Sequence, residues 1–79
     1  MIYNIKGILT YADAQFVVVE CGGVGFKCYT SLNTSKSVGK KGSEVNLFTY
    51  LSVREDAMDL FGFSTQTELE SFKLLITVS

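Results

Sequence analysis

The N-terminal part of the chain alternates between apolar and polar residues in short runs, a pattern that predicts β-strands. Residues 3–11 form the first run, whose predicted buried face consists of Tyr3, Ile5, Gly7, Leu9 and Tyr11. Residues 16–19 are mostly β-branched and too few for a helix, so we predict a second strand that is covered on both faces. Residues 24–28 alternate again and form the third strand. The glycine pair at positions 22 and 23 predicts a tight hairpin, because both residues can take positive φ.

The middle of the chain continues the strand pattern after one short interruption. Residues 31–38 are polar apart from two apolar anchors and predict a short helix or an irregular connection, and residues 39–42 predict a turn. Residues 45–53 alternate most regularly of all and predict a fourth strand with one buried face. After the charged residues 54–56, a fifth strand is predicted from about residue 57 to residue 63.

The last segment changes to a helical period. Thr65 and Glu68 have the spacing of a capping box, with the threonine as N-cap and the glutamate as the third helical residue. Apolar residues then recur at helical spacing and predict one apolar face, consisting of Leu69, Phe72, Leu75 and Ile76. We therefore predict a helix from Gln66 to the end of the chain. Because nothing follows that could cover this face, we expect the chain to be a piece of a longer protein.

The order of these elements predicts the fold class. Three strands, a short helix, two strands and a final helix indicate a mainly β protein. We expect residues 1–63 to form the five-stranded Greek-key barrel called the OB-fold. A β-sandwich would usually need more strands. The final helix, in residues 64–79, is expected to begin a further domain.

Composition narrows the classes of function. A chain of 79 residues with 47% hydrophobic and 19% charged residues suits one small folded domain. It has no histidine, which excludes histidine-based triads, histidine metal ligands and histidine general bases. No apolar run of membrane-spanning length and no secretion signal are present, so we expect no membrane association and a cytoplasmic location. The net charge of −1 does not favour binding of nucleic acid by charge alone.

The two cysteines, Cys21 and Cys28, are too few for a four-thiolate zinc site, and their spacing is not that of a CxxC motif. If the glycine pair forms the turn, Cys21 faces Val24 and Cys28 faces Val17, so we predict no disulfide. No other cluster of residues indicates a metal or a cofactor.

The sharpest candidate for chemistry is the pair of adjacent carboxylates Glu55 and Asp56, after the fourth strand. As a catalytic pair they are weak, because adjacent residues on a strand point to opposite faces. A metal site would need more ligands than the nearby Asp59 supplies. From spacing alone the simplest interpretation is a solvated hairpin tip. The alternative is a fixed negative point that repels phosphates where DNA surrounds it.

Three other features are open to more than one interpretation. Residues 22–25 are glycine-rich but lack the Lys-Ser/Thr of a phosphate-binding loop, so they predict a structural turn. The basic pair Lys40-Lys41 predicts a solvated turn, with a phosphate contact as the alternative. Several aromatic residues could either fill the core or stack on nucleic-acid bases, and these are Tyr3, Tyr11, Tyr29, Phe48, Tyr50 and Phe61.

Two strings of residues resemble the N-terminal part of the RuvA family. They are Val-Arg-Glu-Asp-Ala at residues 53–57 and Leu-Phe-Gly-Phe at residues 60–63. The Gly-Gly-Val-Gly-Phe hairpin of residues 22–26 is similar to a hairpin of that family. Single positions along the chain agree as well, and they are Met1, Ile2, Gly7, Glu68, Phe72, Leu75, Val78 and Ser79. The resemblance covers the whole chain, and the strings at residues 53–63 are its specific part.

The resemblance implies a non-catalytic DNA-binding scaffold that begins with an OB-fold. Members of the family bind Holliday junctions, and four subunits form a square homotetramer that holds the junction open for branch migration in recombination and DNA repair. The implied partners are four-way junction DNA, the RuvB ATPase, which would hydrolyse the ATP, and the RuvC resolvase. By resemblance, Glu55 and Asp56 are acidic pins that disfavour phosphates at the centre of the tetramer. Arg54, beside them, would be a phosphate contact.

The family's main DNA contacts come from helix-hairpin-helix motifs beyond position 79. The resemblance therefore implies that residues 64–79 are the first helix of that domain. Two functions of other classes are alternatives. One is a general OB-fold module that binds single-stranded nucleic acid or a protein partner, with Tyr29, Phe48 and Tyr50 exposed on one face. The other is a small hydrolase that uses Glu55 and Asp56.

Overall fold

A computed structural model describes residues 3–76 in full and the backbone of residue 77. Every predicted strand and helix is present, with ends that differ from the prediction by one or two residues. Residues 78 and 79 of the predicted final helix lie outside the described residues, as do Met1 and Ile2. In chain order the elements are β1 (Asn4–Ala12), β2 (Phe16–Cys21), β3 (Val24–Thr30), α1 (Leu32–Ser37), β4 (Glu44–Val53), β5 (Met58–Phe63) and α2 (Gln66–Thr77).

The five strands close into a barrel in the order β1-β2-β3-β5-β4. β1 is long enough to pair with β4 through its first half and with β2 through its second half, so it joins two parts of the wall. β3 and β5 complete the barrel with a parallel contact, in which Tyr29 pairs with Phe61 and Thr30 with Gly62. A closed five-stranded barrel with a helix between β3 and β4 is the OB-fold arrangement, and the predicted fold class is confirmed.

The first strand departs from its predicted buried face at both ends. Leu9, in its middle, is fully buried, but Tyr3 is 58% exposed and Tyr11 is 47% exposed. A bulge between Leu9 and Tyr11 shifts the register, so that Leu9 lies opposite Val19 and Tyr11 lies opposite Val18. The extra residue of the bulge turns Tyr11 to the outside of the barrel.

The second strand is covered on one face only, so the prediction of two covered faces is wrong. Val17 and Val19 are fully buried in the barrel, whereas Phe16 and Val18 are partly exposed. The reason is that α2 packs on β4 and β5, on another side of the barrel. The outer face of β2 is left to water and to neighbouring aromatic rings.

The turn between β2 and β3 has the predicted geometry. Gly22 and Gly23 have φ values of 57° and 90°, in the left-handed region that favours glycine. In the resulting register Cys28 lies opposite Val17 rather than Cys21, and the two cysteines form no disulfide. Cys28 is fully buried as a small core residue, and this burial raises the pKa of its thiol to about 12.

The core of the barrel is packed closely around Gly62. Side chains from all five strands fill the interior. A Cβ atom placed on Gly62 would lie 3.0 Å from Cδ1 of Leu47 and 3.2 Å from Cβ of Cys28. β5 can therefore approach the interior this closely only because residue 62 has no side chain.

Glu68 joins the start of α2 to α1. Its backbone N–H donates to Oγ1 of Thr65 at 3.1 Å, which confirms Thr65 as the N-cap. Its carboxylate does not return to Thr65, as a capping box requires. It accepts hydrogen bonds from Oγ of Ser31, at 2.9 Å, and from Oγ1 of Thr34. Oγ1 of Thr34 in turn accepts from the backbone N–H of Ser64 at 3.1 Å, so the network fixes how α2 leaves the barrel.

The predicted apolar face of α2 is divided into a covered half and an exposed half. Leu69 is buried, and the ring of Phe72 packs between aromatic rings of β4 and β5. Leu75 is 75% exposed and Ile76 is 44% exposed. Among residues 3–77, no helix has both the length and the apolar character that a membrane crossing needs.

Replacing Gly62 with alanine should destabilise the barrel, because the added methyl group would press on Leu47 and Cys28. We expect the free energy of unfolding, measured by denaturant titration, to fall by about 1–3 kcal/mol. Gly25→Ala is the matched control, because its added Cβ would meet one methyl group of Val18 at an exposed position. That change should stay below about 0.5 kcal/mol. Equal effects of the two substitutions would contradict the close packing at residue 62.

Replacing Glu68 with alanine should lower the free energy of unfolding by about 2 kcal/mol, because two hydroxyl groups lose a charged acceptor. The control is Glu70→Ala, which removes only a surface contact of 3.7 Å to Lys73 and should cost about 0.5 kcal/mol or less. Denaturant unfolding of both variants measures the difference. A Glu68 variant as stable as the Glu70 variant would mean that the network contributes nothing.

Candidate functional site

β4 and β5 form a hairpin whose turn holds the predicted acidic pair. Six residue pairs join the two strands, and the last of them is Val53 opposite Met58. Backbone N–H···O contacts of 2.7 and 3.4 Å then join the residues on either side of the turn. The turn itself consists of Glu55 and Asp56, so the predicted position of the two carboxylates is confirmed.

The hairpin tip, which we define as residues 53–58, extends beyond the rest of the sheet. β1 pairs with β4 over residues 44–48, and the N–H of Thr49 donates to the carbonyl of Tyr3. β3 pairs with β5 at Phe61 and Gly62. Nearer the turn, each strand has only the other as a sheet partner within residues 3–77. The hairpin tip therefore projects into solvent as a two-stranded finger.

The acidic turn carries charge that no cation neutralises. Glu55 and Asp56 are exposed, and neither carboxylate forms a hydrogen bond or an ion pair within the described part of the chain. The neighbouring Arg54 binds Asp59 instead, with 3.0 Å between its guanidinium Nη2 and Oδ2. The hairpin tip therefore presents two uncompensated negative charges to solvent.

This geometry gives the acidic pair no catalytic surroundings. A hydrolytic carboxylate pair acts on a substrate held between its two groups, usually in a concave site. Glu55 and Asp56 instead lie on a convex turn. Asp59, considered above as a further metal ligand, is bound to Arg54, and residues 3–77 contain no group of three or more side chains placed to hold a metal ion. What the turn offers is fixed negative charge.

Arg54 combines an ion pair with high exposure. Its side chain is 63% exposed although it binds Asp59, and that contact uses one of the five N–H donors of the guanidinium. The other donors are available to a phosphate. Its assignment as a phosphate contact stays a prediction.

The aromatic residues considered for base stacking pack largely against one another. The ring of Tyr50 lies 5.8 Å from that of Phe72 on α2, and the ring of Tyr29 lies 5.8 Å from that of Phe61. Tyr29, Phe48 and Tyr50 are half-buried, so the expectation that they form an exposed face is wrong. Tyr50 is covered by Phe72 of α2, whereas Tyr29 packs on Phe61 and Phe48 packs on Tyr3.

A second aromatic group lies on the outer face of β1, β2 and β3. The rings of Tyr11 and Phe16 stack at 5.2 Å, and Nζ of Lys27 lies 4.4 Å from the centre of the Phe16 ring. Lys27 is not among the residues predicted to be functional. The signal that could have found it is the hairpin register, which makes Lys27 and Phe16 diagonal neighbours on adjacent strands.

The glycine-rich and basic segments singled out in the sequence form exposed turns, and the structure also contains two cavities. Gly22 and Gly23 form an exposed turn that leads into a strand, as predicted. Lys40 and Lys41 are exposed between α1 and β4, and neither forms an ion pair within residues 3–77. A groove of about 390 Å³ lies between α1, β4 and the start of α2, and an apolar pocket of about 270 Å³ lies beside Phe72. Neither cavity includes a residue of the hairpin tip.

Residues 1–62 match the family model described as the RuvA N terminal domain. The chain belongs to this family. Relatives named Holliday junction branch migration complex subunit RuvA agree with that assignment. The one from Acetivibrio thermocellus is 49% identical over 79 residues, and those from Symbiobacterium thermophilum and Dehalococcoides mccartyi are each 44% identical, over 78 and 79 residues. The resemblance to the RuvA family noted in the sequence is thereby confirmed.

The alignments cover 99–100% of this chain but only 38–41% of these three RuvA relatives. The chain thus spans about two fifths of the length of the RuvA proteins it matches. The family match ends at residue 62, one residue before the end of β5.

Neutralising the acidic turn should leave the fold intact. We expect the double variant Glu55→Gln, Asp56→Asn to unfold within about 0.5 kcal/mol of the unchanged chain at neutral pH, because neither carboxylate has a partner among residues 3–76 to lose. Denaturant titration measures this, with Glu68→Ala as the variant that should be clearly less stable. A loss of more than about 1 kcal/mol would show that the acidic pair has a structural role.

Proposed function

We propose that this chain is the pin-bearing barrel of a non-catalytic scaffold subunit that binds Holliday junctions and holds them open for branch migration. The observation that carries the proposal is the hairpin tip, which presents Glu55 and Asp56 without a neutralising partner. The relatives' name, Holliday junction branch migration complex subunit RuvA, supports four-way junction DNA as the partner. The role belongs to recombination and DNA repair.

The proposed pins act by repulsion. Duplex DNA carries one negative charge per roughly 1.7 Å of its axis. A phosphate about 4 Å from a carboxylate is disfavoured by roughly 1 kcal/mol in water, and by more where water has been displaced. DNA backbones would therefore bend away from the turn. The penalty is smallest where strands diverge, so the pins would favour an open junction centre and guide the separation of strands.

Repulsion can guide a strand only if the charges stay in place. The turn has two residues, and its flanking backbone is joined by a hydrogen bond of 2.7 Å. The Arg54–Asp59 ion pair links the two strands immediately behind it. These links hold the pins at a fixed distance from the barrel. Arg54, with its free donors beside the pins, is the proposed contact to a phosphate that passes the turn.

The remaining assignments concern the full-length protein. It would be a cytoplasmic homotetramer with the pins at its centre, and RuvB would supply the ATP hydrolysis while RuvC would act on the same junction. Residues 1–63 would be the OB-fold domain, and residues 64–79 would begin the helix-hairpin-helix domain that makes most DNA contacts. A net charge of −1 on this chain agrees with placing the main grip on DNA elsewhere.

The test uses the full-length protein with Glu55→Gln and Asp56→Asn. We expect binding to linear duplex to strengthen by about fivefold or more at low salt, because a repulsion is removed, so that selectivity for a four-way junction falls. Electrophoretic mobility shift at two salt concentrations, on junction and duplex of equal length, measures both affinities. Branch migration with the partner ATPase should lose accuracy or rate.

The control variant Glu20→Gln, Glu44→Gln removes the same charge from exposed positions elsewhere on the barrel. It should change the affinity for junction and duplex by the same small factor. The pin proposal fails if the two double variants cannot be distinguished in junction selectivity and in branch migration.

A further inference from the structure

An apolar cross-strand pair lies directly behind the acidic turn. Val53 and Met58 face each other in the last residue pair of the hairpin, and they are 62% and 68% exposed. Directly opposed side chains of an antiparallel pair lie about 4.5–5.5 Å apart, so the two form one continuous apolar surface. Single exposed apolar residues are common, but the fold does not require an opposed pair on a free-standing hairpin.

The hairpin tip has three chemically distinct surfaces. Along β4, Val53 shares its face with the core residue Leu47, and along β5, Met58 shares its face with the core residue Leu60. This face is filled inside the barrel and bare at the hairpin tip, where residues 3–77 supply the sheet with no further strand. The opposite face carries the Arg54–Asp59 ion pair. The end carries the acidic turn.

We infer that Val53 and Met58 contact unpaired nucleobases at the opened centre of the junction. This rests on the proposed function, since it requires DNA at the hairpin tip. The acidic turn repels phosphates, so the part of a DNA strand that can lie against the apolar pair without an electrostatic penalty is the uncharged base. Base faces are flat and apolar, and methionine and aliphatic side chains are among those that proteins insert against unstacked bases.

The contact gives the hairpin tip an attractive component beside its repulsive one. Separating two strands exposes base faces that were stacked, and this is costly in water. An apolar surface beside the point of separation reduces that cost, because it covers the exposed faces. The acidic turn would thus turn the backbones away while Val53 and Met58 hold the bases that the separation frees.

A second copy of the chain fits this surface less well. In the proposed tetramer the acidic turns of four copies already surround one centre. Packing two hairpin tips directly through their Val53–Met58 faces would bring two of these turns closer still, with four carboxylates that have no ion-pair partner within residues 3–76. Like charges at short distance oppose such a contact. The charge pattern of the hairpin tip therefore favours nucleobases.

The experiment places 5-iodouracil in a four-way junction, either at the branch point or in the middle of one arm, and irradiates the complex with full-length protein. Mass spectrometry then locates the crosslinked peptide. We expect crosslinks to residues 53–58 from the branch-point position and none there from the arm. The double variant Val53→Ser, Met58→Ser should lower the crosslink yield at least about fivefold. The control Val24→Ser, Leu32→Ser changes residues of similar exposure, 55% and 54%, and should leave it unchanged.

Junction affinity gives a second readout. An apolar contact releases no counterions, so Val53→Ser, Met58→Ser should weaken junction binding by about three- to tenfold, by the same factor at every salt concentration. Neutralising the pins should instead change the dependence on salt. The two effects are therefore separable on one protein.

Four results would overturn the inference, and a fifth would overturn the pin proposal alone. Crosslinks outside residues 53–58, or a serine variant equal to its control in both readouts, would remove the base contact. A change of oligomeric state in the serine variant, measured by sedimentation, would assign the pair to an interface between copies. If neutralising Glu55 and Asp56 lowers junction selectivity as expected but no crosslink forms at the hairpin tip, the base contact is refuted and the pin proposal stands. Crosslinks at the hairpin tip with no effect of pin neutralisation would support the base contact and refute the pins.

Discussion

The parallel contact between β3 and β5 is the constraint on which the rest of the structure depends. It joins two residue pairs, and one of them includes Gly62, where Leu47 and Cys28 leave no room for a side chain. A longer contact would draw all of β5 into the barrel wall. Because the contact begins at Phe61, the β5 residues nearer the turn pair only with β4 among residues 3–77 and leave the sheet as a hairpin. Barrel closure and projection of the acidic turn thus have one cause.

The same two strands carry the helix that follows them. Phe72 of α2 packs on Phe61 and Phe63 of β5 and on Tyr50 of β4, on the outer face of the hairpin's base. The carboxylate of Glu68 fixes the start of the helix to α1. The direction of α2 and the direction of the hairpin tip are therefore set by one rigid pair of strands. In a longer protein, whatever follows α2 would be held at a defined position relative to the acidic turn.

Features that depend on neighbouring residues were predicted correctly, and the order of the strands was enough to predict the barrel, but individual contacts between distant residues could not be predicted. Alternation and the glycine pair gave correct strands and a correct turn, because both act locally. The capping box was predicted half correctly: Thr65 is the N-cap, but the carboxylate of Glu68 binds hydroxyl groups more than thirty residues away. The prediction of an exposed aromatic face was wrong because the hydrophobic pattern alone does not show which strands α2 covers. For Glu55 and Asp56 the position was predictable and the role was not, because a pin and a solvated tip have the same geometry until DNA surrounds them.

A repulsive element can supply selectivity that attraction cannot. Positive charge attracts every phosphate, so it raises the affinity for junction and duplex alike. Two fixed negative charges lower the affinity for any DNA that presents a backbone to them, and they cost least where strands diverge. A barrel with a net charge of −1 can therefore serve DNA recognition by exclusion, provided that another part of the protein supplies the grip. The apolar pair behind the turn fits this logic, because it offers bases a contact that it cannot offer to phosphates.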